Sequence, residues 1–547
     1  MSLTIASLLT LTFAVSFLAL AVLLWAVWRQ HMKFGAAAAT VIFEPGEVGR
    51  PEEPAAETPD AEQRIAPVDR GSVSKELAED LAARDAADRS TRDVVRLFFV
   101  SGTAWLVLGS ILGLTASLKM TFPDWLTGQA WLTFGRIRPM HLNAVIYGWA
   151  SMAGIGTVLW LLPRLLRSPL KAQIVAVFGG WLWNAGVAIG LVSIAVGWTD
   201  GLEWLEFPWP VDAFFVIGGA LVAVPLFVTV RYRRVSSLYV SVWYIAAALV
   251  WFPVLFLVAN QPYVHFGVEH AVVNWWYAHN VLGLWLTPLG LAAAYYFIPK
   301  VLGKPIYSYS LSLIGFWALA LFYSQAGIHH LIGGPVPTWL VTLSIVQSVM
   351  MVIPVIAVAV NHHVTMVGNF SALKYSPTLR FVVTGAIMYT GVSLQGSLHA
   401  VREVNQVTHF THFTVGHAHM GVYAFYSFII FGAAYFLLPR VFGRDWPRPR
   451  LISIHFWTAL GGILIYMISL MVGGVFQGLA QLDASRPFME SVTLTIPYLH
   501  ARTVGGTLMT ISHFIFAWHV GLLVTKKGPM REGAPWQRNP SKQEVTA

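Results

Sequence analysis

Apolar runs of membrane-spanning length recur along the whole chain, and this recurrence limits the fold more than any other feature of the sequence. A bilayer core needs roughly 20 consecutive apolar residues in a helix that crosses it. Of the 547 residues, 56% are hydrophobic and 11% are charged, which is too apolar for a soluble protein of this length. Helices satisfy the backbone hydrogen bonds in lipid, so the sequence predicts an all-α polytopic membrane protein.

The runs divide the chain into four predicted regions. These are an N-terminal transmembrane anchor (1–28), a cytoplasmic polar and acidic linker (29–92), a twelve-helix core (93–526) and a cytoplasmic C-terminal tail (527–547). We expect the first half of the linker to be disordered and residues 74–93 to form a polar surface helix. A cleaved signal peptide ahead of the Ala36–Ala39 run is the alternative to the anchor. The predicted spans cover about 4–28, 95–120, 139–164, 172–197, 211–231, 236–259, 273–299, 308–332, 339–361, 378–399, 412–439, 451–475 and 500–525.

The charge of the connections alternates along the chain. Loops with Arg164 and Lys300 are basic, whereas the loop with Glu203 between them is acidic. Because short basic loops stay in the cytoplasm, this pattern predicts a cytoplasmic C-terminus. Arg29, which follows the first run, predicts an N-terminus outside. The net charge of +9 therefore reflects topology and gives no indication of nucleic-acid binding.

Two histidines separated by one residue, His417 and His419, open a long apolar run. At roughly 100° per residue they point about 200° apart on a helix. A single metal ion would need a spacing of three or four residues, where side chains share a face. The pair therefore indicates a helix between two cofactors that gives one imidazole to each. The alternative is that one or both histidines only form hydrogen bonds to neighbouring helices.

Four more histidines lie at the same predicted depth, in the outer third of the membrane. His141 follows Pro139, where we expect a helix to begin. His279 lies near the outer end of another span, and the adjacent His329 and His330 end a third. If that last turn distorts, the three imidazoles can converge on copper, zinc or iron. Polar groups inside a bilayer are costly, which favours a functional reason for this layer.

Other residues near this layer carry weaker signals. Tyr323 lies seven residues before His330, two helical turns back on the same face. We expect His399 to have a structural or hydrogen-bonding role, and His362 and His363 lie at the cytoplasmic end of a span. The chain has no cysteine, which excludes iron–sulfur clusters and covalently attached haem c. If the protein handles electrons, we therefore expect the carriers that deliver them to belong mostly to other subunits.

The ordered histidine motifs resemble a known family, the catalytic subunits of the haem–copper oxidases, and in particular the cbb3-type cytochrome c oxidases. The resemblance covers about 95–525, the twelve-helix core, and leaves out the anchor and the linker. It rests on Gly135-Arg136-Ile137-Arg138-Pro139-Met140-His141, Trp275-Trp276-Tyr277-Ala278-His279-Asn280, Ala326-Gly327-Ile328-His329-His330 and Gly416-His417-Ala418-His419.

The resemblance implies two haems and one copper ion. His141 and His419 would be the axial ligands of a low-spin haem b, and His417 would be the proximal ligand of a high-spin haem b. A calcium ion near the haem propionates is a further implied cofactor, and Arg138 would contact a propionate. The implied copper ligands are His279, His329 and His330.

The resemblance also implies supporting roles. Tyr323 matches an active-site tyrosine that is cross-linked to a copper-ligating histidine, here His279. Gln395 stands where the family has a glutamate near the proximal histidine. A neutral amide should weaken electron donation by His417 and tend to raise the haem potential. The matching positions on the family's proton path are Tyr295, Ser312, Asn361 and Tyr389.

The implied function is that of a terminal oxidase in a bacterial inner membrane. Dioxygen would be reduced to water with electrons from membrane-anchored c-type cytochrome subunits on the outer side. Protons would come from the cytoplasm, with coupled proton pumping by analogy.

Two alternatives stay open. A nitric oxide reductase of the same superfamily would hold non-haem iron, which usually binds a carboxylate beside its imidazoles. The segments around His279 and His329 contain no glutamate, although Gln395 keeps this alternative open. A non-enzymatic haem-binding electron carrier would leave the predicted copper ligands without a role. A transporter would typically show internal repeats, and we find no convincing repeat.

Overall fold

The computed structural model describes residues 36–44, 47–49, 75–261 and 263–531, with isolated positions among the first 29. Twelve helices in this part of the chain are long and apolar enough to cross a membrane, which confirms the predicted all-α polytopic fold. The predicted N-terminal anchor lies almost wholly outside the described residues. The helices are α1 Lys75–Thr121, α2 Phe134–Leu166, α3 Gln173–Val196, α4 Trp209–Arg231, α5 Val240–Ala259, α6 Gly267–Leu302, α7 Tyr309–Tyr323, α8 Thr338–Met366, α9 Pro377–His399, α10 His412–Phe442, α11 Arg450–Leu482 and α12 Phe488–Val524.

Three helices form the centre of the bundle. Nearly all of the apolar length of α2, α6 and α10 is buried, whereas the other helices bury about half of theirs or less. The outer helices expose large apolar side chains such as Ile174 and Trp457, as expected of surfaces that face lipid. The central helices carry His141, His279 and the His417 and His419 pair, so these side chains lie in the interior of the bundle.

Each central helix contains a π-helical segment shortly after its histidine. The segments are Ala144–Ala150 in α2, Leu282–Leu286 in α6 and Met420–Ser427 in α10. Such segments are rare and are frequently found at functional sites, because the wider turn re-aims nearby side chains. Residues of all three segments line the same cavity as the histidines, which marks this part of the bundle centre as the specialised region.

The first core helix is longer than the sequence predicted. We expected a surface helix over 74–93 and a separate span from about 95, but one helix runs from Lys75 to Thr121. Residues 75–101 contain neither proline nor glycine, so nothing in the chain interrupts the helix there. The predicted helix is present, but it is not a separate surface element, because it continues into the first span and buries Arg84, Ala87 and Asp88.

A segment of the linker packs against α1. This segment, residues 36–44 and 47–49, is called the arm. Ile42 is fully buried, Phe43 is nearly so, and the Arg84 guanidinium donates hydrogen bonds to the carbonyls of Ile42 and Phe43 at 3.2 and 3.0 Å. The prediction of disorder in the first half of the linker is therefore wrong for the arm. The apolar residues of the arm bury surface against α1, whereas the polar residues around the arm in the sequence offer little apolar surface to bury.

Ion pairs attach the arm to two central helices. Glu44 pairs with Arg164 of α2 at 2.7 Å, and Arg164 also pairs with Asp88 of α1 at 2.6 Å. Glu47 pairs with Lys300 of α6 at 2.5 Å, and the Lys300 side chain is 2% exposed. Removing one partner of such a buried pair would leave an uncompensated charge, which costs about 3–5 kcal/mol. The arm thus closes the end of the bundle that carries the basic loops.

The start of α2 also differs from the prediction. The sequence placed it at Pro139, but the helix begins at Phe134. The backbone N–H groups of Arg136 and Ile137 both bond to the carbonyl of Thr133, so one turn forms ahead of the proline. Pro139 lacks an N–H and therefore costs this short stretch a single backbone hydrogen bond.

Candidate metal centres

All six histidines of the predicted layer line one internal cavity of about 580 Å³. They come from α2, α6, α10 and the turn that follows α7. Tyr323, Arg138 and Tyr389 line the same cavity. The structure therefore brings together side chains that lie as far as 278 residues apart in the sequence, between His141 and His419.

Three of the histidines form a compact cluster. One ring nitrogen from each of His279, His329 and His330 lies within 4.8 Å of the others. The Nδ1 atom of His329 is 2.9 Å from the Ser348 hydroxyl. This contact orients the ring and leaves Nε2 available as a ligand atom. Three imidazoles at this spacing can bind copper, zinc or iron.

The chain reaches this cluster through a turn that the sequence did not predict. The helix α7 ends at Tyr323, and His329 and His330 lie on a separate 3₁₀ turn, Ile328–Leu331. Gly327 precedes that turn with φ +116°, a conformation that favours glycine. The prediction that Tyr323 and His330 share a helix face is wrong, because the helix stops between them.

Tyr323 nevertheless lies against the cluster. Its ring stacks on that of His279 with 4.6 Å between centroids and 26° between planes. Gly283 of α6 makes the space for it, since a Cβ at that position would overlap the Tyr323 ring. The contact between Tyr323 and His279 thus depends on the position of α6 and on the end of α7. It does not depend on the helical spacing between Tyr323 and His330.

His417 and His419 contact opposite neighbours, as their spacing predicts. Nδ1 of His417 lies 2.8 Å from Oε1 of Gln395 on α9. The ring of His419 packs on Tyr466 of α11, with 4.5 Å between centroids. α10 therefore presents one imidazole toward α9 and the other toward α11 and α2.

His419 and His141 form a facing pair. Their rings are nearly parallel, 11° apart, with 6.4 Å between centroids. Two imidazoles bound on opposite sides of one metal ion at about 2.0 Å would have their ring centroids about 6 Å apart. Nδ1 of His141 is 2.7 Å from the Gly109 carbonyl and Nδ1 of His419 is 2.9 Å from the Val415 carbonyl, so Nε2 is the available ligand atom in both.

A family profile described as "Cytochrome C and Quinol oxidase polypeptide I" matches residues 93–508, most of the chain. The chain belongs to this family. It is the subunit I of a haem–copper oxidase, and the predicted resemblance is confirmed. The enzyme class that follows is cytochrome c oxidase.

Individual relatives agree with this assignment. The chain is 32% identical over 460 residues to "Cbb3-type cytochrome c oxidase subunit CcoN1" of Stutzerimonas stutzeri, covering 81% of this chain and 97% of that protein. It is 32% identical over 465 residues to "Cytochrome c oxidase subunit 1 homolog" of Agrobacterium tumefaciens, covering 81% and 86%. A nitric oxide reductase chain of Stutzerimonas stutzeri is more distant, at 23% identity over 450 residues, covering 76% and 92%.

A solved structure supports the fold independently. A haem–copper terminal oxidase dimer studied by electron cryomicroscopy superposes with a TM-score of 0.65, over 82% of this chain and 88% of that one. The sequence identity is 16%, so this likeness concerns the fold alone. Together with bacterial oxidase relatives, the twelve apolar helices indicate a multi-pass bacterial membrane protein.

The haem–copper oxidase family implies haem and copper cofactors, and the residues present fit both. The three-imidazole cluster offers the donor set that copper accepts. The parallel pair of His141 and His419 has the separation expected of two axial ligands. His417 has its Nδ1 engaged by Gln395, which leaves Nε2 as its ligand atom.

Two arginines line the cavity, and they differ in their partners. Arg138 forms an ion pair with Glu203 at 2.7 Å and its side chain is 44% exposed. Arg502 of α12 is buried, and its guanidinium lies 3.2 Å from the Tyr466 hydroxyl and 2.7 Å from the Met120 sulfur. Arg502 has no carboxylate partner among the described residues, so it fits an anionic group such as a propionate better than Arg138 does. Arg502 was not among the predicted site residues, although an arginine inside an apolar span is a signal of function.

His399 also lines the cavity. Its ring is 5.9 Å from that of His417, and its Nε2 has no hydrogen-bond partner in the described part of the chain. The ring also packs edge-on against Phe413, with 5.3 Å between centroids, and the predicted structural or hydrogen-bonding role stays a prediction. A buried nitrogen without a partner at the cavity wall is available to a group inside the cavity.

Three of the four predicted proton-path residues meet in one cluster. The Asn361 amide donates to the Tyr295 hydroxyl at 3.3 Å and to the Ser312 hydroxyl at 3.1 Å. All three side chains are fully buried, where α6, α7 and α8 pack together. Tyr389 does not join the cluster by a direct bond. It lies at the cavity wall, with a hydroxyl that has no partner among the described residues.

Proposed function

We propose that this protein reduces dioxygen to water at a high-spin haem b paired with a copper ion. A low-spin haem b, held by His141 and His419, would supply the electrons. The observation that carries the proposal is the stacking of Tyr323 on His279 inside a cluster of three imidazoles. A redox-active phenol beside a copper ligand suits the cleavage of the O–O bond. The proposed metal ligands are His141 and His419 for the low-spin iron, His417 for the high-spin iron, and His279, His329 and His330 for copper.

When bound, the two haems and the copper supply the redox chemistry, and the protein sets their ligands and surroundings. Tyr323 holds a phenolic proton next to His279 and can release that proton with an electron. Gln395 accepts a hydrogen bond from His417 and so orients its ring. The stacked contact is also compatible with the cross-link between Tyr323 and His279 that the resemblance implies.

The donor of electrons is proposed to be a membrane-anchored c-type cytochrome on the outer side. The chain has no cysteine to attach a haem c of its own. Arg502 is proposed to bind a haem propionate, with Arg138 and Glu203 at the exposed rim of the same cavity. The calcium ion near the propionates stays a prediction, as does the orientation of the two termini.

Protons are proposed to come from the cytoplasm through Tyr295, Ser312, Asn361 and Tyr389. Tyr295, in the cluster around Asn361, lies 16 residues along α6 from His279, which is about 24 Å. Water must therefore bridge the cluster to Tyr389 and the cavity. Coupled proton pumping is proposed by analogy with the family.

The cluster favours oxygen over nitric oxide chemistry. A non-haem iron site usually includes a carboxylate. Among the described residues, the group that can hold the ion consists of imidazoles only.

Metal analysis and haem extraction of the purified complex test the proposal. One copper ion and two haems b per chain, with oxygen consumption by the same preparation, are the expected result. Non-haem iron in place of copper, with consumption of nitric oxide and not of oxygen, would overturn it.

A further inference from the structure

His362 of α8 is a buried imidazole that none of the roles above uses. Its side chain is 1% exposed, and neither Nδ1 nor Nε2 has a hydrogen-bond partner among the described residues. Burying two polar atoms without partners is costly, so such atoms are normally satisfied by water. The position is four residues, about 6 Å along the axis, from the last residue of α8.

The surroundings of His362 connect it to the proposed proton path. Its ring meets the Tyr295 ring edge-on, with 4.6 Å between centroids. The neighbouring residue, Asn361, bonds to the hydroxyls of both Tyr295 and Ser312. His362 therefore touches the polar cluster at its end nearest to the loops between helices, where Lys304 bonds to the carbonyl of Val367.

We propose that His362 is the residue that takes up protons for this cluster. A hydronium ion on the cytoplasmic side gives a proton to one ring nitrogen and becomes water, and the other nitrogen releases its own proton through water toward the Tyr295 hydroxyl. The imidazole is left as its other neutral tautomer, a rotation of the ring restores the first one, and no electron moves. The Asn361 amide already donates hydrogen bonds to Tyr295 and Ser312, whereas an imidazole can accept a proton on one ring nitrogen and release another proton from the second. The inference rests on the proposed use of this cluster as a proton path.

The chain offers a matched control. His363 follows directly on the same helix, is half-buried, and has its Nε2 bonded to the Thr390 hydroxyl at 3.0 Å. It makes no ring contact with Tyr295 and takes no part in the site or the path. The same substitutions at His363 therefore test for general effects of changing a histidine at this end of α8.

The experiment uses the purified complex with all its subunits and two variants of the same residue. His362→Phe keeps an aromatic ring against Tyr295 but removes both nitrogens. His362→Gln keeps hydrogen bonding to water but cannot carry a proton as a charge. Oxygen consumption, proton uptake after a single reaction of the reduced complex with oxygen, and the rate of low-spin haem reduction are measured for each.

Both His362 variants are expected to slow turnover and proton uptake by about tenfold or more. Haem and copper content and the rate of low-spin haem reduction should stay as in the unchanged protein, and His363→Phe should retain full turnover. Full activity in His362→Phe would overturn the inference. Full activity in His362→Gln alone would also overturn it, because anchoring water would then suffice.

Tyr295→Phe separates this inference from the proposed path. Slow turnover in Tyr295→Phe with full activity in His362→Phe would exclude a role for His362 in proton uptake but support the proposed path. Full activity in both variants would exclude the proposed path itself. Absence of oxygen consumption by the unchanged complex would contradict the proposed function before either variant is compared.

Discussion

The side-chain carbonyl of Gln395 lies 2.8 Å from Nδ1 of His417, so this imidazole donates its proton to a neutral acceptor. The acceptor comes from α9, whereas the histidine belongs to α10. Groups that accept a hydrogen bond from a ligating imidazole set its orientation and its basicity. The pair therefore links the packing of two helices to the electronic properties of the high-spin haem proposed here.

Gln395→Glu is expected to lower the midpoint potential of the high-spin haem. A carboxylate accepts the His417 proton more strongly, which makes the imidazole a better donor and favours ferric iron. A tenfold gain in the preference for ferric over ferrous iron corresponds to about 59 mV for one electron. A spectroelectrochemical titration measures the shift, and the low-spin haem in the same sample is the internal control. An unchanged or higher potential would contradict the role given to this contact.

His279→Ala is expected to abolish oxygen reduction and to remove the copper. The low-spin haem spectrum should remain, because His141 and His419 face each other, and His419 packs on Tyr466 and not on the three-imidazole cluster. Metal content, oxygen consumption and the reduced-minus-oxidised spectrum give the answer together. Loss of the low-spin spectrum in this variant would show that the ligands are assigned to the wrong centres.

Two glycine substitutions should damage different centres. A Cβ at Gly283 would overlap the Tyr323 ring, whereas a Cβ at Gly113 would lie 2.6 Å from Cε1 of His141. Gly283→Ala should reduce oxygen consumption by roughly 100-fold while copper is retained, since small displacements of a reacting group are this costly. Gly113→Ala should instead alter the low-spin haem spectrum. Gly461→Ala is the control, since nothing lies within 4 Å of its Cβ.

The attachment of the arm should weaken in acid. Burial alone would raise the pKa of Glu44, but Arg164, then Lys300 and Arg84, outweigh burial and hold the pKa below its usual value of 4.5. A carboxyl with a lowered pKa in the docked state stabilises docking fully above its usual value. That contribution is lost as the pH falls through the lower, docked-state value.

Hydrogen exchange of the arm amides across an acidic pH series measures this loss. Exchange should rise as Glu44 becomes protonated, relative to exchange in α1 as an internal reference. Glu44→Gln should expose the arm at all pH values and remove most of the pH dependence. An arm in Glu44→Gln that responds to pH as the unchanged protein does would assign the effect to another group.

The parts of the site that depend on helical periodicity were predictable from the sequence. The spacing of His417 and His419 required two opposite faces, and the structure gives them different neighbours. The level of His141, His279 and His330 followed from the alternation of basic and acidic loops, because topology fixes the depth of a residue in its span. Apolar length alone was sufficient for the number of core helices.

Other parts depended on contacts that no local pattern carries. The end of α7 at Tyr323 follows from the conformation of Gly327 and from its approach to the Trp275 carbonyl. The docking of the arm requires Glu44 to meet Arg164, 120 residues away. Polar composition alone could not show that the Glu44 carboxylate has a buried partner. Disorder was therefore wrongly predicted there, because the tertiary contacts of the arm were not known.

The π-helical segments after His141, His279 and His419 divide each central helix into two parts, and the rotation of one part about the helix axis can change without that of the other. An insertion or deletion of one residue within such a segment turns everything on one side by about 100° about the helix axis. The part that stays packed against its neighbours keeps its position, and the other part presents a different side chain to the cavity. In such a bundle, the side chains around the metal sites can change one helix at a time, while the packing of the remaining helical segments in the membrane is kept.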